Sequence, residues 1–233
     1  PGLKSINQNA TGLPLVGEVF RWLLKRPSVL AISPGRVHIF GKSSPELESP
    51  DYVLLFAPAS YKAGMVGVLD DYPGFTVGTW QMRPQSTGYV RIGSADPTVN
   101  ANFNPRYLSD HLDSTILLSA MKAGRNLLKT EPLASLVEEE VLPGTQYKSD
   151  DELMGFAKQY GATSFHLVGS CRMGQHSDGS NVVDPRLRVH GVQALRVIDA
   201  SVMPTIPSAN TAASTMMIAE KGADMVIEDA RKN

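Results

Sequence analysis

The sequence predicts an α+β fold: an antiparallel β-sheet with flanking helices, followed by a compact C-terminal module. Three observations carry this expectation. Short β-rich runs, VHIF at Val37–Phe40, YVLLFA at Tyr52–Ala57, TVGTWQM at Thr76–Met82 and GYVRIG at Gly88–Gly93, are punctuated by Pro and Gly, as in strands joined by turns. Helical spacing then takes over, with Leu112, Ile116, Ala120, Ala123 and Leu127 on one stripe of Ser109–Leu128. Beyond residue 160 the texture changes to short β-like runs, a proline-punctuated loop and one long helix.

The elements follow in order. Val16, Phe20, Leu23 and Leu24 give Leu13–Lys25 a helical period, which Pro27 ends. The β-rich runs occupy 36–93. In Ser109–Leu128, Asp110 and Asp113 fall in the first turn, where a negative charge suits the positive end of the helix dipole. Ser149 with Glu152 forms a capping box, and that helix stops before Gly161 with Leu153, Phe156, Ala157 and Tyr160 on its apolar face. Leu187–Val189 and Leu195–Val197 flank the turn HGVQA as a hairpin. After Pro204 and Pro207, Asn210 precedes a helix running to about Asp229. The chain divides into a connecting segment with a helix (1–30), a sheet-and-helix domain (31–160) and a C-terminal module (161–233).

Composition excludes several function classes. With 42% hydrophobic and 19% charged residues the chain is globular. The 22 basic and 23 acidic residues nearly cancel, and no basic run offers a nucleic-acid face. No apolar stretch reaches the roughly 18 residues of a membrane helix. A single cysteine excludes an intrachain disulfide framework and fits a reducing, cytoplasmic compartment. No targeting segment is visible; the opening PGLKSINQNATG lacks an initiator methionine and reads like the middle of a longer protein.

SFHLVGSCRMG at Ser164–Gly174 gathers a histidine, the cysteine and an arginine. A Cys171–His166 nucleophile needs geometry that sequence neighbours rarely supply, so Cys171 reads as a small hydrophobe. The five histidines are scattered without HExxH or CxxC, so no metal site is expected. A G-x-S-x-G elbow and complete GxGxxG or GxxxxGK[ST] loops are absent. His166 reads either as a base or as a hydrogen-bonded structural histidine. Asn210 reads as a helix N-cap, yet the helix start Thr211–Ser214 also offers free N–H groups and a positive field suited to developing negative charge.

HLVGSCRMG at His166–Gly174, VVDPRLRVHGVQALRVIDASVMPTIPSANTAASTMMIAEKGAD at Val182–Asp224 and, less tightly, RPQSTGYVRIGSADP at Arg83–Pro97 resemble the glucose–methanol–choline (GMC) family of FAD-dependent oxidoreductases. The resemblance implies that 31–160 is the substrate-binding domain and that 161–233 carries the catalytic motif and completes an FAD-binding domain. It places His166 at the catalytic histidine and Asn210 where members carry a second histidine or an asparagine that hydrogen-bonds the substrate oxygen. Asp199 and Ala200 fall on the segment approaching the FAD ribityl and phosphates; Asn210, Thr211 and Ala212 fall where a helix start faces the flavin pyrimidine. The implied activity is oxidation of an uncharged primary alcohol, with His166 taking the hydroxyl proton and the hydride passing to flavin N5.

The family's N-terminal Rossmann portion is absent from the sequence, so the N-terminal FAD-binding half is expected as a partner, and the 233 residues alone are expected to bind FAD weakly or not at all. Two alternatives stand beside the oxidoreductase: an FAD-containing hydroxynitrile lyase using the same histidine, and a non-catalytic fragment that binds a partner. Cys171 drops out of the chemistry, and Arg172 is expected to order its loop by pairing with a carboxylate.

Overall fold

The computed structural model describes residues 5–33, 35–65 and 67–231. They fall into two compact units. One takes in the described residues of Pro1–Gln81 and Ser114–Thr163, the other those of Met82–Asp113 and Ser164–Asn233. The helices are α1 (Ile6–Asn9), α2 (Gly12–Leu23), α3 (His111–Leu128), α4 (Asp150–Tyr160) and α5 (Ala212–Ala230). The strands are β1 (Val37–Gly41), β2 (Tyr52–Ala57), β3 (Thr76–Gln81), β4 (Tyr89–Arg91) and β5 (Asn102–Asn104). The fold is α+β, with antiparallel sheets and flanking helices. No helix among the described residues is long and apolar enough to cross a membrane.

In the first unit β2 lies between β1 and β3, antiparallel to both, with Leu54 opposite Ile39 and Thr79. As the central strand, β2 buries Val53, Leu54 and Ala57, while α3 buries Ile116 and Ala120 and α4 buries Leu153 and Met154. Gly124 lets α3 approach the sheet: a Cβ there would already touch Val77 Cγ1 at 3.4 Å. The helix also holds the loop that follows it. Arg125 donates to Glu140 Oε1 (2.9 Å from Nε) and to the carbonyls of Gly144 (2.9 Å) and Tyr147 (2.6 Å). Ser149 and Glu152 cap α4 reciprocally, with the Glu152 amide bonded to Ser149 Oγ and the Ser149 amide to Glu152 Oε2. The buried Asn7 of α1 closes the unit's other end: its Nδ2 donates to Ser60 O, Ser60 Oγ and Asp70 O while its Oδ1 accepts the Ser60 amide. Four hydrogen-bonding contacts on one buried amide leave little unsatisfied polarity.

In the second unit β4 and β5 form an antiparallel ribbon, Val90 opposite Phe103. β5 escapes the sequence reading because NANFN lacks the alternating β-branched or aromatic residues that mark a strand. Asp113, only 1% exposed, is more than a dipole partner for α3. Its carboxylate accepts the amides of Gln85 (2.8 Å) and Ser86 (2.9 Å), fixing the entry to the ribbon, while Asp110 Oδ1 takes the Leu112 amide (2.8 Å) at the helix start.

The core of this unit is Val183, Leu187 and Val202, packed by Met173, Val197, Ile198, Ile218 and Met225. The expected hairpin reduces to an Arg188–Arg196 bridge, closed by hydrogen bonds from Val189 N to Leu195 O (3.0 Å) and Val197 N to Leu187 O (3.1 Å). It stays short because Asp184 turns the chain at its start, its Oδ1 accepting the amides of Arg186 and Arg188.

Helix α5 lies on this core at two places. Gly222 is buried against Ile198, where an added Cβ would fall 2.4 Å from Cγ2. Near the C-terminus Asp229 meets Arg186 (3.1 Å), Arg188 and Arg196. Hydrogen bonding from Arg188 is the main cause that holds the Asp229 carboxyl at about 2, below its ordinary 3.8, and the positive charges of Arg186 and Arg188 add to it.

Two outcomes are expected. Gly222→Leu should lower stability in urea denaturation by about 1–3 kcal/mol through overpacking, whereas Gly155→Ala on the open face of α4, where a Cβ meets nothing within 4 Å, should be neutral or stabilising. Because the Asp229 pKa is depressed in the folded state, its contribution is fully present above the ordinary carboxyl value and is lost as pH falls towards about 2. The thermal midpoint should therefore fall with acidification through that window, and Asp229→Asn should flatten this part of the profile.

Candidate active site

All six site residues expected from the sequence lie in the second unit. The segment opened by His166 is shaped by two left-handed backbone positions. Gly169 has φ +84°, and a Cβ on it would stand 3.4 Å from Met203 O, so the glycine of the H-x-x-G pattern serves both a turn and a close approach. Phe165, immediately before His166, has φ +59°. A bulky aromatic rarely adopts this region, so backbone strain sits beside the histidine. Nothing in the sequence signals it, since phenylalanine is not a left-handed former.

From this turn the chain runs alongside the second motif. Cys171 N donates to Ser201 O (3.0 Å) and Met173 N to Val202 O (2.9 Å). The His166 segment and the VIDAS segment, some thirty residues apart in sequence, are thus hydrogen-bonded neighbours. Asp199 has extended backbone, and its Oδ1 caps the 3₁₀ turn Ala200–Val202 by accepting the Ser201 amide (2.8 Å) and hydroxyl (2.5 Å). Its Oδ2 has no partner among the described residues. The 3₁₀ turn in turn contacts α5.

The start of α5 departs from one sequence expectation. Asn210 does not cap the helix: the residue at the cap is Thr211, in helical φ and ψ, and neither side chain accepts an amide of the first turn. No acidic residue occupies that turn. The exposed Asn210 side chain is therefore unoccupied by structural bonding, and the first-turn amides of Ala212 and its neighbours keep their positive field. His166 is half-buried and its ring makes no hydrogen bond among the described residues. His166 and Asn210 are each free to hydrogen-bond a ligand, and the uncapped helix start that follows Asn210 can accommodate negative charge.

Arg83 was not expected to bear on this region. Its Nη1 donates to Ser208 Oγ (2.9 Å), tying the RPQ segment to the loop that leads into Asn210. Arg172 differs from its expected role, because its partner is the Ser180 hydroxyl, which itself donates to Asp178 Oδ1 (3.1 Å); the carboxylate is reached through the serine. An open hollow of about 450 Å³ lies on this side, lined by Arg172, Gln175, Asp178 and Asn181 among others, and neither His166 nor Asn210 lines it. Cys171 is partly buried, and among the described residues only its backbone is engaged.

The polar edge of a flavin makes demands that these residues meet. A flavin accumulates negative charge at its pyrimidine end on reduction, and the start of α5 offers amides, small side chains at Ala212 and Ala213, and no carboxylate. A diphosphate cradle of the glycine-rich type has no counterpart in the sequence.

The chain resembles known proteins in sequence and in fold. The family described as GMC oxidoreductase matches residues 84–219. Alcohol dehydrogenase [acceptor] of Pseudomonas putida is 35% identical over 91% of this chain and 38% of its own length. Oxygen-dependent choline dehydrogenase of Staphylococcus saprophyticus is 32% identical over 94% of this chain and 39% of its own. A mutated formate oxidase of Aspergillus oryzae RIB40, solved to follow the effect of the mutation on FAD modification, superposes with a TM-score of 0.87 at 26% identity, covering 98% of this chain and 44% of that one. The chain thus spans about two-fifths of the length of the relatives it matches. With its histidine and VIDAS segments hydrogen-bonded side by side and its match running through both, the chain belongs to the GMC oxidoreductase family.

Proposed function

We propose that the chain is the substrate-side and C-terminal portion of an FAD-dependent enzyme that oxidises the CH–OH group of an uncharged primary alcohol to the carbonyl. The observation that supports this most is the main-chain hydrogen bonding of Cys171 and Met173, in the motif that His166 opens, to Ser201 and Val202 of the 3₁₀ turn, which itself contacts α5. Relatives named as alcohol and choline dehydrogenases match over nine-tenths of the chain.

In this reading His166 accepts the hydroxyl proton of the alcohol, a task open to a ring with no structural hydrogen bond. Asn210 donates from its amide to the substrate oxygen, holding the alcohol so that its α-carbon is fixed while the proton leaves. Phe165 in its left-handed conformation sets the direction in which His166 leaves the backbone. Asp199, Ala200, Asn210, Thr211 and Ala212 would hold FAD, the first two towards the ribityl and phosphates and the others towards the pyrimidine edge. FAD would supply the two-electron acceptor for the hydride lost from the α-carbon as His166 takes the hydroxyl proton, which leaves the carbonyl product. The N-terminal half of such an enzyme supplies the remaining dinucleotide contacts, and the protein is read as acting in the cytoplasm.

Anaerobic mixing of a primary alcohol with the chain joined to its N-terminal half and loaded with FAD should bleach the flavin. His166→Gln should slow that bleaching by about 10²- to 10⁴-fold while FAD absorbance remains bound, and Asn210→Ala should lower it by about tenfold or more. An unchanged rate in His166→Gln would remove the histidine from the chemistry. Cyanohydrin cleavage with a flavin that stays oxidised would favour the lyase reading instead.

A further inference from the structure

The loop between the 3₁₀ turn and α5 carries almost no bonding of its own. Pro204 and Pro207 have no N–H to donate, and none of the other main-chain groups of residues 204–210 is hydrogen-bonded among the described residues. Ser208, Ala209 and Asn210 are exposed. Among the described residues one hydrogen bond holds this loop, from Arg83 Nη1 to Ser208 Oγ (2.9 Å), and it joins segments 125 residues apart in sequence. Asn210 lies two residues beyond that bond. The prolines fix φ at their own positions only, so the course of the loop from Ser208 to Asn210 depends on the arginine.

Arg83 stands on a firm base. Pro84 disfavours the helical region for it, and Gln85 Nε2 donates to its carbonyl (3.1 Å). The residues that follow are tied to the buried Asp113, whose carboxylate accepts the Gln85 amide (2.8 Å), the Ser86 amide (2.9 Å) and the Ser86 hydroxyl (2.5 Å). Ser86 Oγ in turn accepts the Asp110 amide (3.1 Å). A buried carboxylate with three donors is costly to disturb, so the strap that carries Arg83 is stiff. The guanidinium is a planar fork that presents its donor in a set direction. An exposed hydrogen bond between Arg83 and Ser208 adds little to stability, and its consequence is geometric.

We propose that Arg83 is a positioning residue: by holding Ser208 it fixes the loop that delivers Asn210 to the substrate oxygen. The inference rests on the role given to Asn210 under the proposed function. A loop released at Ser208 lets the Asn210 amide wander, and a misplacement of about 1 Å at a reacting group can cost about 10²-fold in rate. The same bond steadies the start of α5, where Thr215 N donates to Thr211 O (2.9 Å) and no side chain caps the first turn. Ser208 separates geometry from charge, because removing its hydroxyl breaks the bond and leaves the guanidinium charge in place.

The test compares Arg83→Met, Ser208→Ala, Asn210→Ala and the double variant Arg83→Met with Asn210→Ala, each in the chain joined to its N-terminal half and loaded with FAD. Anaerobic n-butanol is the reductant. Arg83→Met and Ser208→Ala are each expected to slow flavin bleaching about tenfold, and Arg83→Met to add nothing once Asn210 is alanine. Ser208→Ala removes one exposed hydroxyl and serves should Arg83→Met fail to fold. A second measurement needs no substrate: exchange of the Thr215 amide should quicken about two- to tenfold in both single variants. Bleaching at the unaltered rate in Arg83→Met and Ser208→Ala, with Asn210→Ala slow, overturns this inference alone. A further loss of the same factor in the Asn210→Ala background overturns it too, as does slow bleaching in Arg83→Met without Ser208→Ala, which assigns the effect to charge. Unchanged Thr215 exchange in both variants overturns it whether or not n-butanol reduces the flavin. Unaltered bleaching in Asn210→Ala removes Asn210 from the chemistry, and this inference with it.

Discussion

At Gly222 the backbone of α5 comes so near Ile198 that a single methyl group would overlap it, and the arrangement of the second unit depends on that approach. Ile198 directly precedes Asp199, so the position of the helix and the position of the 3₁₀ turn are fixed by one contact. The same turn is hydrogen-bonded to Cys171–Met173, which carries the geometry on to the loop of His166. Asp229 secures the far end of the helix with three guanidinium groups, an arrangement whose exposed members each add little and whose shared carboxylate couples them. The close packing sets the distance, and the ion cluster sets the angle.

The first unit is organised differently, by polar side chains that serve several backbone groups at once. Asn7 binds chain segments at residues 60 and 70, and Arg125 binds Glu140 and two carbonyls of the loop before α4. Arg125 owes this to its planar fork of donors, which lysine could not reproduce. Loops that would otherwise carry unpaired carbonyls are thereby satisfied without regular structure.

Features with a local physical cause could be read from the sequence. The Ser149–Glu152 box involves residues three apart, and β2 has an unbroken apolar run, so both elements lie where their residues place them. Features set by distant partners could not. The asparagine-rich β5 is a strand because β4 pairs with it, and Asp113 turns to residues 85 and 86 instead of serving only its own helix. The period of α2 was legible, but which way its apolar stripe faced depends on Ser28 and Val29 holding Glu18. The candidate site divides along the same line. The motif segments were visible as strings of residues, while their side-by-side hydrogen bonding, the strain at Phe165 and the link from Arg83 to Ser208 exist only in three dimensions.

Helix α5 is anchored towards one end and open at the other. Its C-terminal half has Gly222 and Asp229, while its first turn has no capping side chain, which forgoes about 1 kcal/mol of helix stability. Fraying of α5 therefore belongs to the Thr211 end, where amide exchange should be fastest. A ligand that hydrogen-bonds those amides binds only the ordered turn, so occupancy and local order are thermodynamically linked. The missing cap thus makes the first turn of the helix a reporter: its exchange protection rises with ligand concentration, by an amount set by the dissociation constant.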